Sequence, residues 1–267
     1  MDFASHELVV ARSPLRYRVA GPAGAPVLLF LHGAGGAEST LGLLGRFAAD
    51  FRVIVPDHPG FGASPDPDWL DTIHDVAYAY LELLDALDLR RVHLVGTSLG
   101  GWIALEIAVR SAARLACVSV IGACGIRPGD IPTGDLFMWS PEERVRRLVA
   151  DPMLAEKILA LPQTPEQVEI ALRNHFTTAK LCWEPRFFDP HLEKWLHRLR
   201  LPTQVIWGAE DGLFPPAYGR KLAAAIPGAR FELIESCGHL PHLEQPARLE
   251  ALLRAFIADL RSEECAA

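Results

Sequence analysis

One serine stands in a context that would make it a nucleophile. Ser98 is the centre of the run Gly96-Thr97-Ser98-Leu99-Gly100, which follows an apolar strand pattern at 92–95 and precedes a helix pattern at 102–109. A serine at a tight strand-to-helix turn has strained backbone and exposes its hydroxyl at the end of a sheet. Glycines are expected on both sides, because a Cβ there would collide with a neighbouring strand or helix. The amides that begin the helix would face developing negative charge.

A serine hydroxyl reacts poorly near neutral pH unless a base activates it, and a carboxylate usually orients that base. His239 follows a predicted strand at 231–234, and Asp211 follows a predicted strand at 203–207. Because the carboxyl ends of parallel strands meet at one edge of a sheet, we expect both side chains to lie near Ser98. Glu210, next to Asp211, is a second candidate for the carboxylate.

The elements that must position these residues alternate along the chain. Apolar runs recur, and the middle and later ones are continuous, which is typical of strands buried on both faces of a parallel sheet. Helical spacing lies between them, as at 72–87, 217–226 and 246–260. This alternation predicts an α/β fold with right-handed crossovers. The predicted strands are 7–11, 15–19, 27–31, 52–56, 92–95, 116–121, 203–207 and 231–234.

The segment from 126 to 200 has no convincing strand pattern. It holds two capping boxes, Ser140-Pro141-Glu142-Glu143 and Thr164-Pro165-Glu166-Gln167, and a further N-cap followed by proline at Asp189-Pro190. We therefore predict an all-helical insert, which would cover a ligand pocket if it lies over the sheet edge. The candidate pocket residues are Phe137, Trp139, Trp183, Phe188, Leu213 and Leu240.

Five motifs in this order resemble those of the α/β-hydrolase superfamily, and the resemblance extends over nearly the whole chain. They are the loop His32-Gly33-Ala34-Gly35-Gly36, the turn Asp57-His58-Pro59-Gly60-Phe61-Gly62-Ala63-Ser64, the serine turn, the acid loop from Trp207 to Asp211 and the base loop from Cys237 to His242. The resemblance implies a mostly parallel, eight-stranded sheet flanked by helices, with an all-helical cap inserted between strands 6 and 7. It divides the chain into a core, 1–125 and 201–267, and a cap, 126–200.

The resemblance also implies roles for the candidate residues. Ser98 would attack an acyl carbonyl, His239 would act as the base, and Asp211 would orient it in preference to Glu210. The backbone amides of Ala34 and Leu99 would form the oxyanion hole. Serine at the turn disfavours dehalogenase and epoxide hydrolase chemistry, for which related enzymes use aspartate. The implied function is a serine hydrolase that cleaves a small to medium carboxylic ester through an acyl-enzyme, with no metal or organic cofactor.

Two alternatives remain at this point. One is hydrolysis of a carbon–carbon bond in a vinylogous diketone, as in ring-cleavage-product hydrolases. Those enzymes typically place tryptophan after the base histidine and carry a cap arginine for the substrate carboxylate, whereas here Leu240 follows His239 and only Arg173 and Arg186 are candidate arginines. The other is a non-catalytic ligand-binding protein with the same fold, which the presence of serine, histidine and aspartate together disfavours.

The composition of the chain limits the classes of partner that we expect. The 267 residues carry a net charge of −7, which argues against broad nucleic-acid binding and gives no basic face for a membrane. No secretory signal pattern is visible at 1–13. We expect a small-molecule substrate, no nucleic-acid or membrane partner, a monomer or homodimer, and reduced thiols in a cytoplasmic protein. The cysteines are Cys117, Cys124, Cys182, Cys237 and Cys265, without metal-ligand spacing.

Overall fold

The computed structural model describes residues 2–266, with side chains for residues 2–260. Its strands form one eight-stranded sheet in the order β1-β2-β4-β3-β5-β6-β7-β8. Strand β2 pairs antiparallel with β1 and β4, and the other neighbouring pairs are parallel. The strands are β1 (Ala4–Val10), β2 (Ser13–Ala20), β3 (Val27–Leu31), β4 (Arg52–Pro56), β5 (Val92–Thr97), β6 (Leu115–Ile121), β7 (Thr203–Gly208) and β8 (Arg230–Ile234). The predicted mostly parallel sheet is confirmed.

Helices fall between these strands. They are α1 (Leu41–Leu44), α2 (Ile73–Ala86), α3 (Leu99–Arg110), α4 (Pro141–Leu148), α5 (Pro152–Leu159), α6 (Pro165–Cys182), α7 (Leu192–Trp195), α8 (Pro216–Ala224), α9 (Pro241–Glu244) and α10 (Pro246–Ala266). Short 3₁₀ turns occupy Glu38–Thr40, Phe47–Ala49 and Leu196–Arg198.

The sheet separates two apolar layers. Every residue of β5 and β7 is buried, as expected for strands covered on both faces. Successive side chains of β3 point to opposite sides: Leu29 and Leu31 pack with the layer that includes α2 and α3, while Phe30 packs with the layer that includes α10. The apolar runs of the sequence are therefore continuous because each of these strands packs against both layers.

The helices α4, α5, α6 and α7 all lie between β6 and β7 in the chain. The two predicted capping boxes begin α4 and α6, where Ser140 accepts from the amide of Glu143 and Thr164 accepts from the amide of Gln167. The division of the chain into a core and a cap at 125 and 200 stays a prediction.

Two helix starts in this segment differ from prediction. Asp189-Pro190 does not begin a helix: Oδ1 of Asp189 accepts from the amide of His191 at 2.8 Å, which makes a local turn, and α7 begins afterwards. Helix α5 was not predicted, although Asp151 caps it through the amide of Met153 and proline follows the cap. The same Asp-Pro pattern thus serves a turn in one place and a helix in another.

Helix α6 is fixed to two core loops by side-chain hydrogen bonds. The amide nitrogen of Asn174 donates to the carbonyl of Gly35 at 3.2 Å, and its oxygen accepts from the amide of Gly62 at 2.9 Å. One turn later, the hydroxyl of Thr177 donates to the carbonyl of Gly60 at 2.7 Å. These bonds fix α6 beside the sheet edge where the predicted site lies.

The described part of the chain contains no helix that is both long and apolar enough to cross a membrane. Cys117, Cys124, Cys182 and Cys237 are buried free thiols. Burial raises the pKa of Cys117 and of Cys237 to about 12, so these thiols stay protonated. Cys265 lies outside the residues whose side chains are described.

We predict that Leu29→Ala lowers the free energy of unfolding by about 2–5 kcal/mol, because it leaves a cavity in a layer where this side chain is 0% exposed. The matched control is Leu172→Ala on α6, where the side chain is 54% exposed and the expected change is within about 0.5 kcal/mol. Urea unfolding followed by circular dichroism measures both. Equal effects of the two substitutions would contradict the assignment of the core.

Candidate active site

Ser98 occupies a strained turn between β5 and α3. Its backbone has φ 53° and ψ −117°, a conformation that L residues rarely adopt. The flanking glycines are sterically required: a Cβ at Gly96 would lie 2.3 Å from the carbonyl oxygen of Gly100, and one at Gly100 would lie 2.1 Å from that of Leu31. The amide of Ser98 donates to the carbonyl of Ile121 at 2.8 Å, which ties the turn to β6.

The structure brings Ser98, His239 and Asp211 together. Nε2 of His239 lies 3.0 Å from Oγ of Ser98, and Nδ1 lies 2.7 Å from Oδ2 of Asp211. Asp211 follows β7 and His239 follows β8, so their side chains meet at the edge where β5 also ends. The side chains of His239 and Asp211 are almost fully buried.

The carboxylate of Asp211 is fixed by backbone donors. Its Oδ1 accepts from the amides of Leu213 and Phe214, each at 2.9 Å, which leaves Oδ2 for His239. Glu210, the competing acid, is exposed, and its amide donates to the carbonyl of Cys237. The geometry therefore favours Asp211 as the residue that orients the imidazole.

This geometry sets the tautomer of His239. A carboxylate only accepts hydrogen bonds, so the proton of a neutral imidazole here is on Nδ1 and the lone pair of Nε2 faces Ser98.

The helical segment between β6 and β7 holds the backbone of His239, since the amide of His239 donates to the carbonyl of Leu148 in α4 at 2.7 Å. The next amide back, of Gly238, donates to the carboxylate of Glu244 at 3.0 Å.

The two backbone amides predicted to bind an oxygen anion have no acceptor among the residues that the structure describes. Leu99 is the first residue of α3, so its amide has no helical acceptor. The loop after β3 passes close to the serine, because a Cβ at Gly33 would lie 3.3 Å from Cβ of Ser98. The next amide, of Ala34, donates no hydrogen bond to another residue that the structure describes. Both predicted donors thus lie next to the serine without an internal acceptor.

Two buried histidines hold this loop. Nε2 of His32 accepts from the amide of His58 at 3.1 Å, so the His32 proton is on Nδ1, which donates to the carbonyl of Gly33 at 2.7 Å. Nε2 of His58 donates to the carbonyl of His32 at 2.9 Å, and Nδ1 accepts from the hydroxyl of Tyr80. Burial lowers the pKa of both histidines, which keeps them neutral and preserves this pattern.

A cavity of about 280 Å³ lies over Ser98 and His239. Two predicted pocket residues, Phe137 and Leu240, line it, and so does Ala34. Sequence reasoning missed its polar wall. That wall comes from α4 and α6 and comprises Arg144, Asn174, His175 and Thr178.

The other four predicted pocket residues do not line the cavity, and the prediction is corrected for them. The guanidinium of Arg147 lies 5.2 Å from the ring of Trp139, that of Arg186 lies 4.3 Å from Trp183, and that of Arg127 lies 4.7 Å from Phe188. Each ring therefore packs against a surface cation. Leu213 is buried beneath Asp211, to which its amide donates.

The residues of the polar wall have a recognisable spacing in the sequence. The cavity residues of α6 are Ala171, Asn174, His175 and Thr178, which have the i, i+3, i+4, i+7 spacing of one helix face. In α4, Arg144 and Leu148 are four residues apart and share a face in the same way. A search for small and polar residues at helical spacing would have found this wall, whereas a search for aromatic residues did not.

The comparisons with known proteins agree with this geometry. The profile of the alpha/beta hydrolase family matches residues 28–252. The chain belongs to the alpha/beta hydrolase family. Membership confirms the resemblance inferred from the five motifs, and the sheet has the architecture that the family implies.

Two relatives and one solved structure are similar to this chain. A 2-hydroxy-6-oxononadienedioate/2-hydroxy-6-oxononatrienedioate hydrolase of Paraburkholderia phymatum is 30% identical over 260 residues, covering 88% of this chain and 88% of that protein. The 2-hydroxymuconate semialdehyde hydrolase of Pseudomonas sp. (strain CF600) is 29% identical, covering 89% of this chain and 88% of that protein. The crystal structure of naproxen esterase from Bacillus subtilis has a TM-score of 0.78 at 18% identity, covering 96% of this chain and 92% of that one, and shares the fold.

A second cluster, away from the cavity, has spacing that would suit a metal: His74, Glu106 and Asp189. Its polar atoms are already engaged. Nε2 of His74 lies 2.9 Å from Oδ2 of Asp189, while Glu106 accepts from Nε1 of Trp102 at 3.0 Å and pairs with Arg110. We interpret the cluster as a polar network that joins α2, α3 and the segment before α7.

We predict that stability decreases below neutral pH partly because of His242. This side chain is buried with Nε2 3.2 Å from Oγ of Ser39, and burial together with nearby His239 lowers the pKa of His242 to about 4. In the unfolded chain His242 binds a proton near pH 6.5, whereas the folded chain resists this proton until the pH is near 4. The contribution of His242 to the free energy of unfolding is therefore complete above pH 6.5 and is lost as pH falls toward 4.

Unfolding in urea at pH 7.5 and pH 5.0 tests this. The free energy of unfolding of the wild type should decrease from pH 7.5 to pH 5.0. In His242→Gln this decrease should be smaller by about 1–2 kcal/mol. An identical loss in the wild type and the variant would show that His242 does not contribute.

Proposed function

We propose that this hydrolase cleaves a carboxylic ester of small to medium size through an acyl-enzyme. The observation that carries the proposal is the pair of hydrogen bonds that joins Ser98 to His239 at 3.0 Å and His239 to Asp211 at 2.7 Å, with Ser98 and His239 in the wall of a cavity. Nucleophile, base and orienting acid are then already in contact before a substrate binds.

In the first half-reaction, Oγ of Ser98 attacks the ester carbonyl while Nε2 of His239 takes its proton. The imidazolium that forms is stabilised by the carboxylate of Asp211. The carbonyl oxygen becomes an anion that the amides of Leu99 and Ala34 bind, and each such donor contributes about 3–4 kcal/mol to lowering the barrier. His239 then protonates the leaving alcohol, and the acyl group stays on Ser98.

In the second half-reaction, water replaces the alcohol. Nε2 of His239 takes a proton from that water as its oxygen attacks the acyl carbonyl, and the same two amides bind the second oxyanion. Collapse releases the carboxylic acid and returns the proton to Ser98. The strained backbone at Ser98 is compatible with this role, because it keeps the hydroxyl raised above the sheet edge and free of the helix that follows.

We predict that Ser98→Ala lowers kcat for 4-nitrophenyl butyrate by roughly 10⁴- to 10⁶-fold, because the nucleophile is lost. A fluorophosphonate probe should label the wild type once, on the peptide that contains Ser98, and should not label the variant. Ser5→Ala, in the exposed part of β1, is the matched control and should keep full turnover and labelling. Turnover that persists in Ser98→Ala would reject the mechanism.

Carbon–carbon bond hydrolysis is the second candidate, because two of the similar proteins are named for ring-cleavage products. The arginines considered for a substrate carboxylate are engaged elsewhere. Arg173 donates to the carbonyl of Gly62 and pairs with Glu169, and Arg186 pairs with Asp135. These contacts argue against Arg173 and Arg186 as the arginine that would hold the carboxylate of a ring-cleavage product.

A substrate panel separates the candidates. We predict that 4-nitrophenyl acetate, butyrate and hexanoate are hydrolysed with kcat/KM at least about tenfold above that for a 2-hydroxy-6-oxo-dienoate. A tenfold ratio corresponds to a difference in activation free energy of about 1.4 kcal/mol. The reverse order would assign carbon–carbon hydrolysis. Tight binding of panel members without turnover of any would instead indicate a binding protein.

A further inference from the structure

The cavity above Ser98 contains an unusual charge. Among the residues that the structure describes, Arg144 is the only Asp, Glu, Lys or Arg that lines it. The remaining wall is apolar, backbone, hydroxyl, amide or imidazole. The cavity thus has a cation on the α4 side and no carboxylate to balance it.

Neighbouring acidic side chains do not neutralise Arg144. Oε2 of Glu143 accepts from the amide of Ser140 at 2.9 Å, and Oε2 of Glu142 accepts from the hydroxyl of Ser140 at 3.0 Å. Both carboxylates are therefore used at the N-cap of α4. No carboxylate of a described residue lies within ion-pair distance of the Arg144 guanidinium. The next arginine, Arg146, differs in this respect, since it pairs with Glu156 at 2.8 Å.

The guanidinium of Arg144 also has unused hydrogen-bonding capacity. Its Nε is buried and has no hydrogen-bond partner in the described part of the chain. One terminal nitrogen lies 3.5 Å from Nε2 of His175. Burial and the charge of Arg144 lower the pKa of His175, so this histidine stays neutral and accepts from the arginine. A buried donor without an acceptor is costly, so a ligand that supplies an acceptor here would be favoured.

We propose that the ester bound by this hydrolase carries a carboxylate away from the scissile bond, and that Arg144 binds this carboxylate. The inference rests on the proposed function. A guanidinium presents paired N–H donors that match the two oxygens of a carboxylate, and it keeps its charge when partly buried. One arginine beside a neutral histidine balances one negative charge, which a carboxylate supplies.

The proposal assigns different residues to different parts of the substrate. Ser98, His239 and the two amides handle the ester, and Arg144 discriminates a charged ester from a neutral one of equal length. Removing the guanidinium should therefore lower activity toward a charged ester by a much larger factor than activity toward a neutral ester. The carboxylate belongs either to the acyl half or to the alcohol half, and two pairs of substrates distinguish these cases.

The acyl pair is the 4-nitrophenyl monoester of adipic acid and 4-nitrophenyl hexanoate, which differ by one terminal carboxylate. The alcohol pair is 4-acetoxybenzoate and 4-methylphenyl acetate. We predict that the wild type prefers the charged member of one pair, and that Arg144→Gln lowers kcat/KM for that member by about 10- to 100-fold, as expected for a lost charge-assisted hydrogen bond. The ratio of kcat/KM for the charged member to kcat/KM for the neutral member should therefore fall by about tenfold or more, since only the charged member loses a charge-assisted hydrogen bond.

Arg146→Gln is the matched control, because it removes an arginine of the same helix that points away from the cavity. It should leave both ratios unchanged. If Arg144→Gln changes charged and neutral esters equally, or if the wild type shows no preference in either pair, the carboxylate site is rejected while the ester hydrolase proposal stands. If none of the four esters is hydrolysed in a Ser98-dependent way, the proposed function itself fails.

One measurement needs no variant. Hexanoate should inhibit the wild type competitively when a neutral ester is the substrate, and it should bind about tenfold more tightly than the uncharged hexanamide, as expected for one added charged hydrogen bond. If the alcohol half carries the charge, 4-methylbenzoate against 4-methylbenzamide should give this difference instead. Equal inhibition by the acid and the amide within both pairs would overturn the proposal.

Discussion

The hydrogen bond between Nδ1 of His239 and Oδ2 of Asp211 joins two loops that follow different strands. It requires the loops to approach backbone to backbone, and this is possible because a glycine ends β7: a Cβ at Gly208 would lie 2.0 Å from the carbonyl oxygen of Gly238. The amides of Leu213 and Phe214 hold the other carboxylate oxygen. Once this pair is fixed, Nε2 of His239 can only face the end of β5, where the strained turn presents Ser98.

The helical segment between β6 and β7 contacts the loops that hold the proposed base and oxyanion donors, and it also lines the cavity. Through the carbonyl of Leu148, α4 holds the amide of His239, and through Asn174, α6 holds the loop that contains Ala34. The same two helices supply the polar wall of the cavity. A change in helix position would therefore alter the base, the oxyanion donors and the bound substrate together. Under the proposed mechanism, substrate binding and catalytic geometry therefore depend on the same two helices.

Much of the site could be predicted because its residues are constrained by covalent geometry and by the parallel sheet. Glycines must flank Ser98, and strands buried on both faces leave continuous apolar runs whose carboxyl ends share one edge, so Asp211 and His239 could be placed there. Glu210 could not be excluded before its exposure was known. The pocket was predicted less well, because the orientation of a short helix depends on packing. Helix α4 has no buried residue, which leaves no apolar stripe to reveal that Arg144 faces inward. Aromatic size was misleading, as Trp183 is exposed and packs against Arg186.

The central claim is that Asp211 acts through His239 on Ser98, and Asp211→Asn tests it most directly. The asparagine keeps the shape of the side chain but removes the charge that stabilises the imidazolium and fixes the tautomer. We expect kcat for a neutral ester at pH 7.5 to fall by about 10⁴-fold, the size known for this change in a serine protease triad. Glu210→Gln, one residue earlier and exposed, should leave kcat unchanged. A kcat within about tenfold of the wild type in Asp211→Asn, or an equal loss in Glu210→Gln, would contradict the account.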